Sequence, residues 1–344
     1  MHRFIDLIQL TRKKKILLYL AYLVILAVVF VACAEVVLRS KGIRPWQEYD
    51  VPIQVEPGGK FFQKHATLGY THIPGRFTVT LGSGYSFNVT HLPNTLRITH
   101  PVDDYKEPNR KEEIWIFGGS YTHGWSINDE ETFPWLLQEQ FPEYEIVNFG
   151  VSGYGTIHSL IQFQEALETT TPEIVILVHA GFHDERNTFS RARRKAVAPW
   201  NRLGPLIQPY ARLDKDGELK YFIGDVEYRE IPLMEYLAFA HFIEITYNQL
   251  ETDWLQSHAV SEALVVEMAE LAKKHEVKFI VTNIAGGDAM LDFAEKNGIA
   301  NVDISEDISL PENNNLPHDP HPSAIANQKY ADKLSRFLKL EIGE

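Results

Sequence analysis

The chain has a single cysteine, Cys33, in 344 residues. An intrachain disulfide is excluded, so the fold must hold on packing and hydrogen bonds, which a chain of this length can supply. A basic body is missing too. The formal charge is −13, and Arg3, Arg12, Lys13, Lys14 and Lys15 against Asp6 give the first fifteen residues +4, leaving −17 on the rest. Phosphate contacts need a basic surface, which argues against a nucleic-acid partner. The chain has no internal repeat, no low-complexity tract and no first-rank metal spacing such as His-Glu-x-x-His. Neither a metal nor a cofactor is expected on that ground. What is there is ordinary for a globular protein, 44% hydrophobic and 23% charged residues, which excludes the disordered and collagen-like classes.

The first informative segment is Ile16 to Ala34, nineteen residues without a charge. At 1.5 Å per residue it spans roughly 28 Å, close to the hydrocarbon thickness of a bilayer. Arg12-Lys13-Lys14-Lys15 precedes it, while Glu35 and Arg39 follow. The excess of basic residues on the N-terminal side puts residues 1–15 in the cytoplasm as a tail and residues 16–38 across the membrane as a signal anchor. The remainder is then extracytoplasmic, periplasmic or extracellular. Two alternatives stay open: cleavage after Ala32-Cys33-Ala34, and lipid attachment at Cys33, where Phe30 is a poor fit.

Residues 39–110 read as a linker and a small β-rich segment. Turn formers such as Pro57-Gly58-Gly59 and Gly82-Ser83-Gly84 alternate with stretches such as Arg76–Thr80 and Tyr85–Thr90. From residue 111 the pattern becomes strand, loop, helix, repeated to residue 344. Strands are predicted over 113–117, 145–149, 174–178, 278–284 and 302–304, and helices over 133–140, 157–168, 260–275, 290–297 and 323–340. Continuous apolar strands between amphipathic helices predict an α/β fold: a parallel five-stranded sheet covered on both faces, a three-layer sandwich. Residues 186–256 break the rhythm and read as an insertion, either a lid that shapes the substrate site or a surface excursion. Its basic run, Arg191, Arg193, Arg194 and Lys195, suits either an anionic polymer or solvent.

In such sheets ligands bind outside the C-terminal ends of the strands. Three loops with chemistry lie at such ends. The first is Gly118-Gly119-Ser120, where Ser120 is either a nucleophile or the cap of a helix. The second holds Gly153, whose N–H can point into a site or serve an ordinary turn. The third is Gly181-Phe182-His183-Asp184, in which His183 can donate a hydrogen bond or, with His179 or Asp184, ligate a metal. Near the C-terminus, Asp319-Pro320-His321 puts a carboxylate and an imidazole two residues apart, on one face if the segment is extended. Asp319 can then orient His321 as the base for Ser120, with His318 as a rival base. Tyr121, Trp125, Tyr154 and Phe182 are candidates to line a substrate pocket.

Taken together, these blocks resemble the SGNH (GDSL-type) hydrolases over residues 111–340. Gly118-Gly119-Ser120 matches the nucleophile block, with Gly119 where Asp is common. Val151-Ser152-Gly153 matches the oxyanion-glycine block, and Gly181-Phe182-His183-Asp184 the Gly-x-Asn-Asp block with His183 in place of Asn. Asp319-Pro320-His321 matches the terminal Asp-x-His. The resemblance implies a flavodoxin-like SGNH fold, catalytic Ser120, His321 and Asp319, and an oxyanion hole from Ser120, Gly153 and His183. It implies a serine esterase or O-acyltransferase acting on an acyl ester, O-acetyl on a cell-envelope glycan included. The anchor and β-rich segment are similar to membrane-attached bacterial members. His183 and Gly119 motivate the alternative of a weak or inactive glycan-binding or assembly protein on the same fold.

Overall fold

The computed structural model describes residues 12–47, 52–101, 112–199, 204 and 206–343. Most of the expected cytoplasmic tail, the boundary at residues 110 and 111, and part of the expected insertion lie outside the described residues. Helix α1 runs from Arg12 to Ser40, longer at both ends than the expected 16–38. By length and composition it is apolar enough to cross a membrane, with a mean hydropathy of 2.9 over its most apolar stretch.

Five short strands follow: β1 (Ile53–Glu56), β2 (Phe62–His65), β3 (Gly69–His72), β4 (Gly75–Leu81) and β5 (Ser86–His91). They form two antiparallel sheets, β1-β4-β5 and β2-β3. Alternation fixes which side faces in: Phe77, Val79 and Leu81 on β4 and Phe87, Val89 and His91 on β5 are buried, while their neighbours are more exposed. Phe61 and Trp125 complete this small core.

The large sheet is built from β6 (Glu113–Phe117), β7 (Glu145–Asn148), β8 (Ile174–Ala180), β11 (Lys278–Ala285) and β12 (Ala300–Asp303). The intervening elements are α2 (Ser120–His123), α3 (Phe133–Gln140), α4 (Thr156–Leu167), α5 (His183–Asn187), α6 (Arg191–Val197), the hairpin β9 (Ile207–Leu213) and β10 (Leu219–Asp225), α7 (Ala238–Trp254), α8 (Ser257–Lys274) and α9 (Asp288–Lys296). The chain ends in the short strands β13 (Asn314–Asn315) and β14 (Asp319–Pro322) and in α10 (Ala324–Ile342). The sheet order is β12-β11-β8-β6-β7, all parallel. The expected α/β class with a five-stranded parallel sheet is therefore present. Counted within the sheet this is the doubly wound 2-1-3-4-5 order, whose switch point lies between β6 and β8.

Period-2 alternation sorts the core into two layers. Ile114, Ile116, Ile174, Ile176 and Val178 pack on α3 and α10 through Phe133, Leu137, Tyr330 and Leu334. Trp115, Phe117, Val175 and Leu177 pack on α4, α8 and α9 through Leu160, Phe163, Leu264, Met268 and Met290. Fully burying each large apolar side chain contributes about 1.5–3 kcal/mol.

Two departures from expectation have local causes. Strand β8 continues to Ala180 because His179, whose polarity marks a strand end, is itself buried at 1% exposure. The β9–β10 hairpin is hidden in the sequence by Pro209, which is tolerated because the sheet has only two strands. The expected 186–256 insertion is also divided. Residues 229–250 group with the chain before residue 51 in one unit, and residues 51–228 and 251–344 form the other. Within the first unit, Glu35 accepts hydrogen bonds from the first N–H groups of α7, Ala238 at 3.0 Å and Phe239 at 2.9 Å. Helix α7 thereby gains the cap that its sequence lacks.

His179 has a consequence for acid stability. Burial, then the neighbouring His258, pushes its pKa from 6.5 down to about 3. The unfolded chain therefore binds the proton that the folded chain refuses. This contribution to stability is complete above about pH 6.5 and disappears as pH falls toward 3. Comparing urea midpoints of the wild type and His179→Gln at pH 7 and pH 4 should show the wild type losing on the order of 3 kcal/mol more than the variant.

Candidate active site

The end of β6 is a crowded turn. A Cβ on Gly118 would collide with Thr122 Oγ1, and one on Gly150 with the His123 backbone N–H. Asn148 ties the second loop to the first: its Oδ1 accepts from Gly150 N at 2.9 Å and its Nδ2 donates to the Thr122 carbonyl at 3.1 Å. Ser120 therefore opens α2 in a fixed orientation, 6% exposed.

Asp319, His321 and Ser120 meet. The short strand β14 is extended, so Asp319 and His321 project the same way. His321 Nδ1 lies 2.5 Å from Asp319 Oδ1, and His321 Nε2 lies 2.9 Å from Ser120 Oγ. A carboxylate only accepts, so Nδ1 carries the proton and Nε2 accepts from the Ser120 hydroxyl. Asp319 also accepts from the His321 backbone N–H at 2.8 Å and from Trp125 Nε1 at 3.1 Å. Burial alone would raise its pKa, but the hydrogen bonds from His321 and Trp125 outweigh this and hold the carboxyl below its usual range.

The second and third loops close around the same point. Among the described residues, neither the N–H of Ser120 nor that of Gly153 has an acceptor. Gly153 sits at φ +87°, and a Cβ there would run into the Tyr70 hydroxyl. His183 is buried on α5 and faces Gly119: a Cβ on Gly119 would lie 3.4 Å from His183 Nε2. Burial, then His179 and Arg186, drives the His183 pKa well down. The imidazole is thus neutral at physiological pH and donates from one nitrogen only.

Of the candidate pocket residues, Tyr121 and Phe182 flank the site. Their rings meet edge to face at 5.7 Å, and Tyr121 meets the His321 ring at 5.5 Å. Trp125 and Tyr154 do not line it. Trp125 packs on Phe61 and Phe87 in the small β core and acts on Asp319 from behind. Tyr154 is fully buried, stacks on His158 at 4.3 Å and donates its hydroxyl to the Tyr70 carbonyl. His318 is no rival base: it stacks on Tyr85 and contacts Ser83 Oγ at 3.0 Å. Asp184 turns to His258 at 3.1 Å, away from any ligand set with His179 and His183.

Sequence reasoning missed two arginines. Arg186 donates to the Tyr154 carbonyl at 2.7 Å, stacks over Phe182 at 4.3 Å and would lie 3.0 Å from a Cβ on Gly119. Burial lowers its pKa to about 9, so it stays cationic at neutral pH. The space beside Gly119, where the resemblance leads one to expect Asp, is occupied by this guanidinium, the Tyr154 carbonyl and His183. Arg193, read as part of a solvated or polymer-attracting run, is buried and donates to the Gly153 carbonyl at 2.6 Å and to Gln208 at 3.1 Å. Its neighbour Arg194 pairs with Glu251 at 3.2 Å, and Arg191 stacks over Tyr228 at 4.7 Å.

No protein-family model matches the chain, and no curated protein does. Among solved structures the chain is similar to a member of the lipolytic protein G-D-S-L family from Veillonella parvula DSM 2008, at 12% identity over 67% of this chain and 97% of that one, TM-score 0.38. It is similar to the psychrotrophic esterase EstA from Pseudoalteromonas sp., at 12% identity over 68% and 100%, TM-score 0.40. It is also similar to a two-domain esterase active on acetylated mannans, at 15% identity over 68% of this chain and 50% of that one, TM-score 0.38.

The crowding at Gly153 is measurable. Gly153→Ala should destabilise the chain by more than about 1 kcal/mol, since the positive φ opposes any side chain. A urea-melt cycle with Tyr70→Phe separates strain from collision: the double variant should be less destabilised than the two singles added together.

Proposed function

We propose that this chain is a membrane-anchored serine ester hydrolase of the SGNH type. The observation that carries the reading is the His321 imidazole within hydrogen-bond reach of both Ser120 and Asp319. In this mechanism Ser120 Oγ attacks the ester carbonyl while His321 Nε2 takes its proton. Asp319 holds Nδ1–H and stabilises the imidazolium that forms. Trp125 fixes Asp319 in turn. The tetrahedral oxyanion receives the N–H groups of Ser120 and Gly153 and the Nε2–H of neutral His183. Collapse expels the alcohol, which takes the proton back from His321 and leaves an acyl group on Ser120. Water then attacks the acyl carbon in a hydrolase, and an acceptor hydroxyl does so in a transferase.

The location and the substrate are part of the proposal. The apolar length of α1 and the basic residues before it support an anchor with the site outside the cytoplasm. Two partly exposed aromatic side chains beside Ser120, Tyr121 and Phe182, are consistent with a substrate that carries a sugar ring, and we take an O-acetylated envelope glycan as that substrate. The opposing reading, a binding protein with little catalysis, draws on His183 standing where an amide is usual. A neutral imidazole aimed at Gly119 can still donate, which favours the enzyme.

Full-length protein in detergent micelles should hydrolyse p-nitrophenyl acetate and be labelled by a fluorophosphonate at Ser120. Ser120→Ala and His321→Ala should each lower kcat/KM roughly 10³-fold or more. Rates equal to wild type in folded variants would remove the mechanism. At the third loop, His183→Ala should cost on the order of 10²-fold in kcat, as the loss of one oxyanion donor does. His183→Asn should restore most of it, because an amide donates at any pH.

A further inference from the structure

Three histidines outside the Ser120 site meet in the core. His72 ends β3, His91 ends β5 and His123 ends α2, and none is more than 3% exposed. One ring nitrogen from each lies within 4.8 Å of one from each of the others. Around them are apolar rings: Phe61 has its centroid 5.3 Å from His72, 4.9 Å from His91 and 6.0 Å from His123.

His91 Nδ1 faces the Ile73 carbonyl at 3.1 Å, so Nδ1 carries the proton and Nε2 offers a lone pair. A backbone carbonyl behind one ring nitrogen is the usual way to orient a metal-ligating histidine. That lone pair faces His123 Nε2 at 3.0 Å. The His72 ring stacks on His91 at 4.1 Å and leans on His123 at 4.3 Å. Both ring nitrogens of His72 and Nδ1 of His123 lack a partner at full hydrogen-bond geometry, although the Thr95 backbone lies near enough to His72 to favour its protonated form slightly. Two imidazoles with orphaned nitrogens, beside a third that offers its Nε2 lone pair to them, call for a ligand that accepts lone pairs.

We propose that His72, His91 and His123 bind one divalent late first-row transition ion, with Zn²⁺ the best match, which fastens β3 and β5 to the helix that carries Ser120. Imidazole nitrogen suits this class of ion. Zn–N bonds of about 2.0–2.1 Å in tetrahedral geometry put ligand nitrogens roughly 3.3 Å apart. His91 and His123 are already near that separation, and His72 joins by tilting off its stack. Burial first and then Arg97 disfavour the charged form of all three rings, leaving the neutral form that ligates. Arg97 itself is engaged elsewhere: Nε pairs with Asp129 at 2.8 Å, and Nη1 and Nη2 donate to the His123 and Ile127 carbonyls at 2.8 Å each. Asp129 offsets its charge. The ion is structural: none of its three ligands touches the Ser120 hydroxyl, whose partner is His321 Nε2, and the assignment stands whether or not Ser120 is a nucleophile.

The test is metal content and cobalt spectroscopy on the full chain in detergent. Protein stripped with a chelator should take up about one equivalent of Co²⁺, with the visible absorption of a low-symmetry cobalt site that added Zn²⁺ abolishes. Reloading with Zn²⁺ should raise Tm by several degrees. His91→Phe should lose both the uptake and the Tm response, while His318→Phe, which removes an imidazole outside the cluster, should keep both. If the wild type holds no metal as purified, takes up none on reloading and melts alike in chelator and Zn²⁺, the proposal is overturned. The wild-type measurements decide this even if His91→Phe fails to fold.

Discussion

The contact on which the candidate site depends is the one between Asp319 and His321. It does more than set a tautomer. Asp319 Oδ1 takes both the ring N–H and the backbone N–H of His321, at 2.5 and 2.8 Å, so one carboxylate fixes the side chain and the strand that carries it. Its other oxygen takes the Trp125 indole N–H. Trp125 belongs to the small β core, so the position of the C-terminal strand is set from residues about two hundred positions earlier. The β-rich segment thereby becomes part of the site's support. Remove the carboxylate and three donors are left facing one another, each costing about 1–3 kcal/mol if buried and unsatisfied.

The parallel sheet was legible because its strands are uninterrupted apolar runs. Residues 113–117 and 133–140 match the expected strand and helix end for end. The Asp-x-His spacing was legible because period-2 geometry is independent of what surrounds the strand. What the sequence hid was convergence. His72, His91 and His123 lie on three elements with no motif spacing, and only the folded hairpins bring them together. Arg193 read as part of a solvated or polymer-attracting run, and Arg186 carried no reading at all, because an arginine's partners here are backbone carbonyls, which leave no mark on composition. Tyr154 read as a pocket residue for the same reason: proximity to a glycine loop does not say which way a ring turns.

The two departures from the usual block residues belong together in space. Gly119 leaves a gap, and Arg186 and His183 stand around it. A side chain at position 119 would meet the Arg186 guanidinium at 3.0 Å and the Tyr154 carbonyl at 3.2 Å. The small residue and the large cation are therefore one adaptation, and substituting either alone leaves a clash or a void. Arg186 also adds to the field that keeps His183 neutral, because a nearby positive charge disfavours imidazolium. A donor with a single defined N–H follows from that field.

The loops around Ser120 share a physical problem. They are irregular backbone packed out of water, and their carbonyls need donors that no helix or strand supplies. Arginine answers it repeatedly. Arg97 donates to the carbonyls of His123, Gly124 and Ile127, at the end of the α2 turn. Arg186 takes the Tyr154 carbonyl and Arg193 that of Gly153, so the second loop is held from both sides of its glycine. With five N–H groups in a planar fork, one guanidinium can satisfy several carbonyls that face different ways. Lysine at these positions would keep the charge but lose the fork, so these buried cations serve through the geometry of their donors, in Arg97 alongside its ion pair with Asp129. The position of the Gly153 N–H, and with it the shape of the candidate oxyanion hole, is set by these buried arginines.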